Sequence, residues 1–169
     1  MHRYSVPLAL TVCISCVALL LTALYMEYVS GLVPCALCLA QRGAFAAIGV
    51  AALLYVIPMY RLKLITGALV VVSALLGMWL AGRQVWLQSL PEDEVPACGP
   101  DIYFVLDRFP LSESFKTLML GSGSCAEVQW QFLGVSIPGW TLIWFTLMCI
   151  AGLWLMLFRG DRPFRLFKE

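Results

Sequence analysis

Four of the seven cysteines stand where thiol chemistry is possible. Two lie in Pro34-Cys35-Ala36-Leu37-Cys38, one in Pro96-Ala97-Cys98-Gly99-Pro100, and one ends Gly121-Ser122-Gly123-Ser124-Cys125. Pro34 precedes the first pair and an apolar run follows it, a pattern that puts Cys35 and Cys38 in the first turn of a helix. A helix N-terminus stabilises a thiolate, and the thiolate is the reactive form of cysteine. Arg42 follows Cys38 by one helical turn and Cys35 by two, so all three fall near one helix face. Its guanidinium would favour a thiolate, or negative charge on an electron acceptor docked beside it. The competing reading of Arg42 is a snorkelling side chain that marks a membrane interface.

The other cysteines limit what spacing alone can claim. Cys13 and Cys16 also read C-x-x-C, but they lie midway between Arg3 and Glu27. That is about 11 residues, or roughly 16 Å of helix, from the outer surface, beyond the reach of a soluble partner. Together with Cys149 they are expected to pack as small hydrophobes. Structural zinc takes four ligands, usually from Cys and His, and His2 is the lone histidine. A site made of four thiols stays open as an alternative; bis-His haem does not.

The elements that must carry these residues are read from the charges. No Asp, Glu, Lys or Arg occurs in residues 4–26, 43–60, 64–82 or 128–158. Crossing a hydrocarbon core takes about 17–25 apolar residues, and in lipid such stretches must be helices. The composition, 62% hydrophobic and 12% charged, is far from that of a soluble domain. The last interval is overlong, and Ile137-Pro138-Gly139 marks a helix start inside it. The expectation is an all-α membrane protein, a bundle of four transmembrane helices in one domain, with spans near 5–26, 43–60, 64–82 and 138–158. The connecting loops are about 27–42 and 83–137. The first apolar run is too long for a signal-peptide h-region and no small-x-small cleavage site follows it, so it is kept as a span.

Grouping the loops by side puts Arg3, Arg61, Lys63, Arg159, Arg162, Arg165 and Lys168 on one face. Arg42, Arg83, Arg108 and Lys116 fall on the other. The positive-inside rule makes the first face cytoplasmic, which leaves both termini in the cytoplasm. Cys35, Cys38, Cys98 and Cys125 then share the opposite, oxidising side, where disulfides persist. The net charge of +1 gives no sign of nucleic-acid binding. In the long loop, Pro91, Pro96, Pro100 and Pro110 argue for irregular chain. Between its cysteines, Ile102, Phe104, Val105, Phe109, Leu111, Phe115, Leu118 and Leu120 are interspersed with Asp and Lys, as in a segment lying on a membrane surface. A purely structural disulfide between Cys98 and Cys125 is the bland reading of that loop.

These residues resemble the bacterial disulfide-bond formation protein B (DsbB) family. The resemblance rests on Pro34-Cys35-Ala36-Leu37-Cys38 with Gln41-Arg42, on Arg83-Gln84-Val85-Trp86-Leu87-Gln88, and on Cys98. It continues in Gly123-Ser124-Cys125-Ala126-Glu127, Gln129-Trp130 and Phe132-Leu133-Gly134, and so covers nearly the whole chain. Two positions depart from the family pattern: Gln41 stands where an acid is often found, and Arg83-Gln84 where some members have a histidine.

The resemblance implies an inner-membrane enzyme with periplasmic cysteines that reoxidises a thioredoxin-like disulfide donor of the DsbA type and passes the electrons to ubiquinone or menaquinone. In that scheme the donor thiol attacks Cys98 and frees Cys125. Electrons reach Cys35 and Cys38 by thiol exchange, in that scheme through a transient bond between Cys125 and Cys35. The Cys38 thiolate then faces a quinone near Arg42. A donor with a potential of about −120 mV is hard to oxidise with ordinary thiols, because each 30 mV uphill costs about 1.4 kcal/mol for two electrons. A quinone drained by respiration supplies that pull. Two other classes fit the cysteine count. A vitamin K epoxide reductase-like enzyme has its C-x-x-C late in the chain, unlike this one; a structural or metal-handling tetraspan protein would show no redox cycling.

Overall fold

A computed structural model describes residues 5–57, 59–91 and 125–158 of the 169. Cys98, the acidic run 92–94, the surface segment expected at 102–120 and the basic C-terminal residues lie outside the described residues. Four helices account for nearly all the rest: α1 (Ser5–Tyr28), α2 (Ala36–Tyr55), α3 (Tyr60–Gln88) and α4 (Ile137–Leu157). All four are long and apolar enough to cross a membrane, as the uncharged intervals require.

Three helices outrun those intervals, α1 by taking in Glu27 and Tyr28. α2 starts at Ala36, so Arg42 sits inside it, and α3 continues past Arg83 to Gln88. A charge ends the hydrocarbon span without ending the helix. Arg, Gln, Leu and Trp all accept helical geometry, and no breaker occurs before Pro91. At 29 residues α3 is about 43 Å long. Its last turn and a half thus stands beyond the uncharged stretch and carries Gln84 and Gln88 toward the cysteines.

Chain reversals are made where the backbone allows. Gly31 has φ +68° in the turn after α1, a conformation with little penalty only for glycine. α4 begins as its Pro138 dictates, in the first turn after the N-cap Ser136. Just before it the sequence adds an element that the reading of helices alone omits. β1 (Gln131–Phe132) and β2 (Val135–Ser136) pair antiparallel, Phe132 opposite Val135, around Leu133 and Gly134 at φ 53° and 77°. Two consecutive positive φ values make the tight turn whose twist suits a hairpin.

α3 packs along α2 and α4, α1 rests on α2, and α1 and α4 touch sparingly. The core is built from small residues and a few aromatics. Phe45 of α2 and Phe145 of α4 stack at 4.0 Å and 11°. Phe145 lies directly over Gly77 of α3, where an added Cβ would meet the ring at 2.3 Å. Gly152 gives way in the same manner to Val70 and Val71. Such close approaches are how helices associate in lipid, where apolar burial alone supplies no drive. Cys16 is buried against Gly49, and Cys13 and Cys149 pack around the same cluster. Outward-facing Ile14, Val17, Leu21, Val72 and Ile150 form an apolar exterior. At the far end Tyr55 Oη donates to Leu155 O at 3.0 Å, and the Lys63 ammonium sits 5.6 Å from the Tyr55 ring centroid.

Gly77→Val should therefore cost about 1–3 kcal/mol through overpacking against Phe145. Gly82→Ala, which enters open space, should be neutral or stabilising. Thermal unfolding of both variants in detergent checks the pair.

Candidate active site

Cys35 is the N-cap of α2, extended at φ −78° and ψ 169°, with its sulfur accepting the Cys38 backbone N–H at 3.4 Å. The chain enters the helix through Pro34, so the first free helical N–H groups point at this pair. The two sulfurs lie 2.8 Å apart. Cys35 is buried, while Cys38 is partly open.

The third thiol arrives from far along the chain. Cys125, fully buried, joins Cys35, Ala36, Leu37, Leu80 and Leu87 in one apolar cluster. Its side chain is hydrogen-bonded with that of Cys35. This bond, then the one to Cys38, then burial, push the Cys35 thiol well above the ordinary cysteine range. Cys35 is accordingly held as a neutral thiol in the reduced protein. Three of the four cysteines singled out in the sequence thus meet at one point; Cys98 lies outside the described residues.

Polar side chains from three helices close over the sulfurs. Gln84 Nε2 donates to Cys35 Sγ and to Cys38 Sγ, at 3.3 Å each. Gln41 Nε2 donates to Gln84 Oε1 at 2.8 Å, and Thr141 Oγ1 donates to Gln41 Oε1 at 2.7 Å. Gln41 and Gln84 are both buried. One turn further out, Ser136 Oγ donates to Gln88 Oε1 at 2.8 Å and ties the hairpin to α3. Sequence reasoning left Gln41, Gln84 and Thr141 without roles, because their partners lie on other helices.

Arg42 does not stand alone. It forms an ion pair with Glu27 at the end of α1 and donates to Ala23 O at 3.2 Å. Glu27 had served only to mark where a span ends. As the one acid on the short connection facing Arg42, it carried a readable sign of pairing.

Beside Cys38 opens a cavity of about 400 Å³ between α1, α2 and α4. Leu19, Leu20, Ala23 and Met26 come from α1, Phe45 from α2, and Ile137, Trp140 and Trp144 from α4. Trp130 and Phe132 of the hairpin region, stacked at 6.0 Å, complete the aromatic wall. Cys38, Glu27, Gln41, Arg42, Gln84 and Thr141 are among its few polar groups. A mainly apolar cavity with convergent polar groups is the usual form of a small-molecule site. Cys35 is absent from that lining and borders a smaller neighbouring space of about 30 Å³, which Cys38 borders as well. Of the pair, Cys38 therefore reaches the large cavity, while Cys35 lies against Cys125.

Comparison with known proteins gives a consistent result. Residues 5–155 match the family model described as disulfide bond formation protein DsbB. A "Disulfide bond formation protein B" of Marinobacter nauticus is 48% identical over 146 residues, which is 85% of this chain and 87% of that protein. Proteins of the same description from Hahella chejuensis and Acinetobacter baumannii are 50% and 41% identical. Those matches cover 73% and 87% of this chain, and 76% and 87% of the respective proteins.

Proposed function

The chain belongs to the disulfide bond formation protein DsbB family, a multi-pass membrane redox protein by its helices and its relatives, and on that footing we propose that it is a quinone-dependent protein-disulfide oxidase. It reoxidises a periplasmic thioredoxin-like donor of the DsbA type and works in the bacterial inner membrane, with its cysteines on the periplasmic side. The observation that carries this reading is the division of the dithiol, with Cys35 against Cys125 and Cys38 on the wall of a mainly apolar, aromatic cavity.

The residues present fit a quinone. Trp130, Trp140, Trp144 and Phe45 offer flat apolar surface, and Arg42 offers hydrogen-bond donors at fixed positive charge. The cavity lies between α1 and α4, which touch sparingly; a gap between two membrane-crossing helices would admit a molecule with an isoprenoid tail. When bound, the quinone supplies a two-electron acceptor.

The protein's own steps are disulfide exchanges. The donor thiolate attacks Cys98 of a Cys98–Cys125 disulfide and releases the Cys125 thiol. Cys125 then attacks Cys35 of the Cys35–Cys38 disulfide, the sulfur it already touches, and Cys38 leaves as a thiolate. Hydrogen bonds from Gln84 and from the helix N-terminus stabilise that leaving group. The donor's second thiol resolves the mixed disulfide with Cys98, and Cys98 retakes Cys125. Cys35 and Cys38 are left reduced, with Cys38 beside the cavity. Each exchange forms one disulfide and breaks one, so the donor's two electrons move inward without net loss.

Arg42→Ala should raise the KM for quinone about tenfold or more, the size of a lost charge-assisted hydrogen bond. Because the substitution also strands Glu27, which is mostly buried, membrane insertion and thermal stability of the variant are measured alongside. Initial rates at varied quinone, with a reduced dithiol donor in excess, test the function and this residue together. No quinone reduction by the wild-type protein would defeat the proposal; an unchanged KM in Arg42→Ala would confine the arginine to anchoring.

A further inference from the structure

A chain of side-chain amides ends on the two sulfurs, and it has a direction. Each carboxamide offers an acceptor at one end and donors at the other, so the orientation of one fixes the next. As the chain stands, Thr141 donates to Gln41 Oε1, Gln41 donates to Gln84 Oε1, and Gln84 presents its N–H groups to Cys35 and Cys38 at 3.3 Å, nearer than its Oε1, which lies 3.8 Å from Cys38 Sγ. Donors aimed at sulfur favour the thiolate. The reversed chain would bring Gln84 Oε1 to the sulfurs, where it would accept S–H and favour the neutral thiol. The bond between the two amides is kept in either direction, so the ends decide.

At the far end the Thr141 hydroxyl has one proton and two acceptors in reach. Gln41 Oε1 lies at 2.7 Å and Pro138 O at 2.9 Å. Donated to Gln41, the proton holds that amide oxygen toward α4. Donated to Pro138, it leaves a lone pair facing Gln41, which would attract the amide nitrogen instead and reverse the chain. Burial of Gln41 and Gln84 keeps bulk water from resetting the order, and buried hydrogen bonds in series polarise one another.

We propose that the Thr141 hydroxyl sets the direction of the Gln41–Gln84 amide chain and through it the thiolate character of Cys38. Thr141 is thus a positioning residue that touches neither sulfur. The inference rests on the proposed function only in taking the Cys38 thiolate as the working form.

The test needs neither quinone nor donor, so failure of the quinone reading leaves it intact. The reduced full-length protein in detergent is alkylated with iodoacetamide at neutral pH, and the rate at Cys38 is followed by peptide mass mapping. Thr141→Ser, which keeps the hydroxyl, should react like wild type, whereas the isosteric Thr141→Val should slow Cys38 about three- to tenfold. Gln84→Leu, which removes the donor to sulfur, should slow it about tenfold or more. Gln41→Leu should slow it as well, because Gln84 Oε1 then loses the N–H that holds it away from sulfur, and the substitution adds no charge. Wild-type reactivity in Thr141→Val, or equal slowing in Thr141→Ser, overturns the proposal. If Thr141→Val loosens the bundle, buried Cys16 will label faster, and the uncharged Gln41→Leu then decides: a slowed Cys38 supports the relay and an unchanged one overturns it.

Discussion

Cys38→Ser should abolish quinone reduction, lowering turnover by a factor on the order of 10³ or more, because it removes the sulfur that faces the cavity. The hydroxyl of serine fits the space that the thiol leaves, but it neither forms a disulfide nor ionises at neutral pH. Folding should be little affected, since Cys38 is partly open and its neighbours Gln41 and Gln84 keep their mutual bond. The measurement is anaerobic quinone absorbance with a reduced donor present. Retained turnover in this variant would place the electron exit elsewhere and leave the cavity without its assigned sulfur.

The second large effect concerns the contact between Cys125 and Cys35. In a chain carrying both Cys38→Ser and Cys98→Ser, each remaining partner has lost the thiol that would resolve it. Mild oxidation should then join Cys35 to Cys125 in most of the molecules, because the two side chains already share a hydrogen bond inside one apolar cluster. Non-reducing peptide mapping reads this link directly. A chain that stays reduced, or pairs either thiol with Cys13, Cys16 or Cys149, would contradict the handover from the long loop to the α2 pair.

The helices were legible because lipid imposes a simple demand: uncharged intervals of sufficient length must be helical, and Pro138 marks where the last begins. The reach of α3 past Arg83 was not, because Arg, Gln and Trp in residues 83–88 have the composition of a surface loop while still accepting helical geometry. The residues 131–136 held a sign of their hairpin in Leu133-Gly134, but two-residue strands are too short for alternation to register. Within the site, the spacing of Cys35, Cys38 and Arg42 could be read directly, since one helix fixes all three. Gln84 and Thr141 could not, because each gains its role from a partner on another helix, 100 residues from Gln41 in the case of Thr141; Glu27, 15 residues before Arg42, was readable as its partner only by being the one acid on the short connection. Pairing with Glu27 also changes the electrostatics: the cavity wall carries a balanced pair where the sequence offered a lone cation.

The central claim, that a dithiol at the start of α2 passes electrons to a quinone in the neighbouring cavity, is tested most directly in a single turnover. The fully reduced protein is mixed anaerobically with a slight excess of quinone, without donor, and stopped by acid at intervals. Quinone loss and disulfide formation are then counted in the same samples. The account predicts that one disulfide, mapped to Cys35–Cys38, appears with the loss of the first equivalent of quinone at the same rate. Quinone that stays oxidised while the thiols persist, or a first disulfide mapped away from Cys35 and Cys38, would contradict it.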